Sequence, residues 1–133
     1  MKNKVLNSTD QLTTLRNYAI GNDLVFIPNF KHSLTDLFKS KVYTANEIAY
    51  CDMFDDSLLR YASTWAAKEA VYKAFKQLDS SPLNWKKIEI LRDKIAGKPT
   101  VIIHQPAFKP ANISLTLSHD GDYAWAMVII EML

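Results

Sequence analysis

Residues 56–78, DSLLRYASTWAAKEAVYKAFKQL, read as one long helix, and two charges within it stand where core residues belong. With Ala66 set at zero and about 100° per residue, Leu59, Ala62 and Ala70 fall within about 40° of it, with Leu58 and Trp65 on one flank. Lys73 lands about 20° from the centre of that apolar stripe and Glu69 about 60°, while Lys68 points nearly the opposite way. Glu69 and Lys73 are four residues apart and so lie side by side. A surface ion pair is worth only about 0.3–0.5 kcal/mol and belongs on the polar face. A charge on a buried stripe needs compensation. A mutual salt bridge would supply it; so would a cation for Glu69 and an anion for Lys73, and spacing alone leaves both readings open.

The chain has 133 residues, 48% of them hydrophobic, enough for a single domain with a real core. The expected domain is 1–133, with 1–17 as an N-terminal extension. Three glycines and five prolines argue against low complexity. The net charge of +2 is too small to imply nucleic acid. A lone cysteine, Cys51, offers no internal disulfide and reads as a small buried hydrophobe. No apolar run approaches the roughly 18 residues that span a bilayer, and the opening MKNKVLNSTDQL lacks a secretory apolar stretch. A cytoplasmic, reducing setting is expected, with no membrane partner.

Around the helix, YAIGNDLVFIP reads as a strand stopped by Pro28. SLTDLFKSKV carries helical spacing with Ser33 as its cap, and TANEIAYC opens with a Thr44–Glu47 capping box. Strands follow in KKIEILR, PTVIIHQ, NISLTLSH and YAWAMVIIEML, the first two flanking a turn with Gly97 and the last two joined by a tight turn at HDGD. Helices and strands without regular βαβ alternation predict an α+β domain.

Asp23 is a second anomaly. It follows Gly21-Asn22 in an apolar stretch, as a turn residue or as a carboxylate projecting from a strand edge. With Glu69 it would offer two hard oxygen ligands of the kind magnesium takes beside waters and phosphates. A zinc site is poorly supported, because His32, His104 and His119 are widely separated. Ser118 and His119 suit either a solvated turn or a phosphate contact, and Lys98 beside Gly97 offers a point charge.

In order, GNDLV, RYASTWAAKEAVYKAF, GKP and LTLSHDGDYAWA resemble the 4′-phosphopantetheinyl transferases, in particular their small holo-acyl carrier protein synthase branch. The resemblance spans roughly residues 19–130. It implies an α+β fold with a compact antiparallel sheet on a long central helix, often assembled as a trimer with sites between subunits. It implies transfer of 4′-phosphopantetheine from coenzyme A to a serine of an apo acyl carrier protein, with release of 3′,5′-ADP. Asp23 and Glu69 match the magnesium ligands and Lys73 the lysine at the phosphates. Gly97, Lys98, Pro99, Ser118 and His119 match the regions that hold the nucleotide and its 3′-phosphate. Lys31, Lys39 and Lys41 are the candidate dock for an acidic carrier protein. Glu69, acting through a water, is the favoured base. Thr64 stands where an Arg is common in the family, and Asn22 replaces an apolar residue between Gly and Asp. These departures point to a divergent member; they leave room for a non-catalytic relative that binds coenzyme A or a carrier protein. A metal-dependent nucleotide diphosphate hydrolase would use the same two carboxylates.

Overall fold

The computed structural model describes residues 17–92 and 98–133; the expectations for the extension before Asn17 and for the turn at Gly97 lie outside the described residues. The elements run β1 (Tyr18–Phe26), α1 (Ile27–Ser33), α2 (Asp36–Val42), α3 (Ala45–Asp52), α4 (Ser57–Leu78), a 3₁₀ turn (Trp85–Lys87), β2 (Ile88–Arg92), β3 (Pro99–Ile103), β4 (Asn112–Asp120) and β5 (Tyr123–Glu131). The long helix, the capping box and all five strands appear where the sequence places them. Helix α1 was not foreseen: Pro28, expected to end the strand, sits in the first helical turn, where its missing N–H costs nothing. Thr35 rather than Ser33 caps α2.

β1, β5 and β4 form one antiparallel sheet in that order, and β2 pairs with β3 in a second. β3 runs beside β4 and brings the two sheets together. The tight turn between β4 and β5 is Gly121-Asp122, since Asp120 pairs with Tyr123. Gly121 takes a positive φ of 55° there, which glycine adopts without strain.

Helix α4 lies across the three-stranded sheet. Ala19 and Val25 of β1 and Ala124, Ala126, Val128 and Ile130 of β5 are buried against it. Small residues let the helix come close. A Cβ on Gly21 would lie 1.9 Å from the carbonyl oxygen of Ala70, so the helix rests on bare strand backbone at that point. β1 is an edge strand, and its edge is covered by two side chains of α4. Lys73 Nζ donates to the Asn22 carbonyl at 3.2 Å and Gln77 Nε2 to the Ile20 carbonyl at 2.8 Å.

The opposite side of α4 is buried too, against α3 and β2. This overturns the wheel reading of the two lysines. Lys68 has no exposed surface, whereas the Lys73 side chain is 54% exposed. A stripe centred on Ala66 assumed one buried face, but α4 is sandwiched. Tyr61, Thr64, Lys68, Val71 and Phe75 form its second buried face. Lys68 Nζ meets Glu47 Oε1 at 2.7 Å and also donates to the Ile88 carbonyl. Glu47 accepts in addition from Thr44 N and Ile90 N, at 2.8 Å each. The capping residue of α3 is therefore also the counter-ion of the buried lysine. Burial pulls the Lys68 pKa down, and the charge and hydrogen bond of Glu47 oppose that. Among the described residues, no helix is long and apolar enough to cross a membrane.

Candidate active site

Alternation along β1 turns Ala19, Gly21, Asp23 and Val25 inward. Asp23 is thus a mid-strand residue facing α4, 8% exposed, and not a turn residue. The close contact of Gly21 with Ala70 fixes the register between strand and helix. Two residues beyond Gly21 and one before Ala70, Asp23 and Glu69 meet: their carboxyl groups are in hydrogen-bond contact. Lys73, one turn along, holds Asp23 Oδ1 at 2.9 Å. The pair lines a cleft of about 360 Å³ with Trp65, Phe38, Phe30 and Asn29. Asn22 points to the outer, exposed side of β1, so its departure from the family pattern leaves this cleft unaltered.

Two carboxylates in contact cannot both ionise freely. Burial first, then the hydrogen bond and charge of Asp23, push Glu69 from 4.5 up to about 7, while Lys73 pulls the other way. The pKa is higher in the folded chain than in the unfolded one. The proton on Glu69 therefore stabilises the fold fully below about pH 4.5, and that contribution is lost as the pH rises through about 7. Glu69→Gln mimics the protonated acid. In metal-free buffer its urea midpoint is expected to gain on wild type as pH rises from 4.5 to 7. Midpoints measured across that range check this; a constant difference contradicts the raised Glu69 pKa.

Two carboxyl groups brought this close mark a place that a divalent cation suits. Two hard oxygens at the wall of an open cleft fit magnesium, which keeps waters and takes phosphate oxygens for its remaining positions. Among the described residues no group of three or more His, Cys, Asp or Glu forms a metal cluster.

The other candidate residues lie elsewhere. Pro99, Ser118 and His119 line a second cleft of about 270 Å³ with Tyr50, Arg60, Ser63 and Arg92. Lys98 is exposed beside it in sequence. The two clefts share no residue and lie on opposite sides of α4. Arg60 and Glu69 are nine residues apart, which is about 900°, or half a turn, around the helix. Lys31 and Lys41 are exposed on α1 and α2, and Lys39 lies 4.6 Å from the centre of the Tyr61 ring. Sequence reasoning missed Arg60 and Arg92. The signal was present at Thr64: an absent arginine invites a search for another one, and IEILR ends on one.

The family model of the 4′-phosphopantetheinyl transferase superfamily matches residues 19–128. A holo-[acyl-carrier-protein] synthase of Chloroherpeton thalassium is 38% identical over 117 residues, covering 84% of this chain and 96% of that protein. The synthase of Aquifex aeolicus is 36% identical over 119 residues, covering 84% and 97%. Among solved structures, the ACPS–CoA complex of Chronobacterium ammoniagenes superposes with a TM-score of 0.76 at 27% identity, covering 89% of this chain and 99% of that one. The Bacillus anthracis synthase in complex with CoA (3′,5′-ADP) gives 0.71 at 26%, covering 86% and 96%. Sequence, fold and the meeting of Asp23 with Glu69 agree: the chain belongs to the 4′-phosphopantetheinyl transferase superfamily.

Proposed function

We propose that this chain is a holo-[acyl-carrier-protein] synthase, moving 4′-phosphopantetheine from coenzyme A to a serine of an apo acyl carrier protein in the cytoplasm. The observation that carries the reading is the pair of carboxylates from β1 and α4 sharing one open cleft on this family's scaffold. Asp23 and Glu69 hold magnesium. Bound there, magnesium supplies positive charge to the pyrophosphate and to the oxygen that departs. The serine oxygen forms a bond to the β-phosphorus, the bond from that phosphorus to the bridging oxygen breaks, and 3′,5′-ADP leaves while Glu69, through a water, takes the serine proton. Lys73 is exposed on a flexible stem and tied to Asp23, so it can exchange that partner for a phosphate oxygen beside the metal. Gly97, Lys98, Pro99, Ser118 and His119 hold the nucleotide, and Lys31, Lys39 and Lys41 receive the acidic carrier.

One chain does not present this whole site to one coenzyme A, because α4 stands between the carboxylate cleft and the nucleotide cleft. Two copies would complete it. The outer face of the three-stranded sheet exposes Ile20, Leu24, Trp125 and Ile129, an apolar surface suited to a trimer interface. Intact-mass spectrometry of an apo carrier protein with magnesium and coenzyme A tests the reaction. The expected result is a gain of one phosphopantetheine. Free phosphopantetheine with no labelled carrier means a hydrolase, and coenzyme A binding without turnover means a non-catalytic relative. Co-expressed Glu69→Gln and His119→Ala chains test the shared site. Random mixing leaves about a quarter of the sites with both halves intact, and activity is expected to exceed that of either variant alone. No such gain contradicts a site between subunits.

A further inference from the structure

The nucleotide cleft contains a guanidinium whose hydrogen-bonding is incomplete. Arg92, the last residue of β2, donates from Nη2 to Thr64 Oγ1 at 3.1 Å. Its guanidinium carbon lies 5.0 Å from the centre of the Tyr50 ring. A hydroxyl and an aromatic face together fix the plane of the fork. Its Nε is buried and has no acceptor, and among the described residues it is the one buried side-chain nitrogen or oxygen left without a partner. Arg92 also forms no ion pair among the described residues.

The neighbouring groups do not neutralise it. Arg60 is partly exposed and already has Asp56 at 3.3 Å. Among the described residues, no aspartate or glutamate lines the cleft. The Cys51 sulfur is 3.8 Å from Thr64 Oγ1 in the buried layer behind, with burial holding the thiol in its neutral form. Thr64 is itself fully used: it donates to the Arg60 carbonyl at 2.9 Å and accepts from Arg92. A threonine at this position therefore anchors an arginine that arrives from the neighbouring strand. His119, opposite the inward-facing Ala124 in the register, lines the same space and adds a group able to donate to an oxyanion, while Ser118 lies opposite Trp125 on the outer face. A planar, always-charged fork with no ion-pair partner among the described residues, beside a second arginine and His119, matches a phosphate monoester better than a diester, which offers fewer free oxygens and less charge.

We propose that Arg92 is the specificity residue of this cleft, oriented by Thr64 to receive a phosphate monoester. Under the transferase reading, on which this naming rests, that group is the 3′-phosphate of coenzyme A. The arginine common in the family at the Thr64 position is absent here, and the charge comes from β2 instead.

The test is calorimetry in magnesium-free buffer with 3′,5′-ADP and with 5′-AMP, which lacks the 3′-phosphate. Wild type is expected to bind 3′,5′-ADP about 10–100-fold more tightly than 5′-AMP, the range of a charge-assisted contact. Arg92→Met is expected to lose most of that ratio through weaker 3′,5′-ADP binding, with 5′-AMP affinity unchanged. Arg92→Lys keeps part of it, and Thr64→Val, which frees the fork, reduces it without removing the charge. Should Arg92→Met fail to fold, the Lys and Val variants decide: an unaltered ratio in both overturns the proposal. It is overturned equally if folded Arg92→Met discriminates as wild type does, or if wild type does not discriminate. Carrier labelling, run in parallel, separates the two ideas. Labelling by wild type with an unchanged ratio in Arg92→Met removes Arg92 and keeps the transferase. A lost ratio without labelling of any carrier keeps Arg92 as a phosphate residue and removes the transferase.

Discussion

Glu69→Gln is expected to lower kcat for carrier labelling by at least about a thousandfold, the scale on which preorganised electrostatic groups act at a reacting phosphate. Asp23→Asn is expected to do the same. The reason is geometric. The two carboxylates come from elements far apart in sequence and share one cleft wall, so neither alone makes a site for a divalent ion. The substitutions preserve shape and remove charge. Glu69→Gln also relieves the contact that raises the Glu69 pKa, so the protein should stay folded, and at neutral pH slightly firmer, while losing turnover. Raising magnesium should recover little, since the ligand itself is gone. Initial rates over a magnesium series, with calorimetry showing undiminished 3′,5′-ADP binding, check this. Wild-type turnover in either variant contradicts it.

The adjacent residue should behave in the opposite way. Lys68→Met is expected to cost about 3–5 kcal/mol of stability, because it leaves the charge of Glu47 buried without its counter-ion. Against a typical total of about 5–15 kcal/mol, that is a large share. Glu47 would keep its bonds from Thr44 and Ile90, so the double variant Glu47→Gln/Lys68→Met should recover part of the loss. Lys68 projects about 100° around α4 from Glu69, into the layer beneath α3 and β2, and lines no part of the carboxylate cleft. At a temperature where the variant is folded, its kcat should remain within about tenfold of wild type, since it touches no reacting group. Urea denaturation paired with rates separates the two neighbours in the KEA motif, one losing stability and the other turnover. A Lys68→Met protein as stable as wild type would show that the buried pair contributes nothing.

The contrast also marks what was legible in the sequence. Strand alternation, the Thr44–Glu47 box and the long helix were readable because each is set by near neighbours in the chain. The wheel misplaced the lysines because it assumed that the helix has one buried face. α4 has two, and which charge is hidden depends on what covers the second, namely α3 and β2. Glu47 looked complete as a cap, and its second role needed a partner 21 residues away. The joining of Asp23 to Glu69 was anticipated from the resemblance, but its physical cause was not: a glycine that lets Ala70 approach the strand. Arg92 was hidden for a related reason. Its value lies in a guanidinium aimed by a hydroxyl and held without an ion-pair partner among the described residues, and neither is a property of the stretch IEILR taken alone.

The proposed cation site can be examined directly. Manganese substitutes for magnesium at carboxylate and phosphate ligands and is visible by electron paramagnetic resonance. Titrated into the protein with coenzyme A present, it is expected to bind once per chain in wild type and at least about a hundredfold more weakly in Asp23→Asn and in Glu69→Gln. Equal manganese affinity in all three proteins would contradict the account.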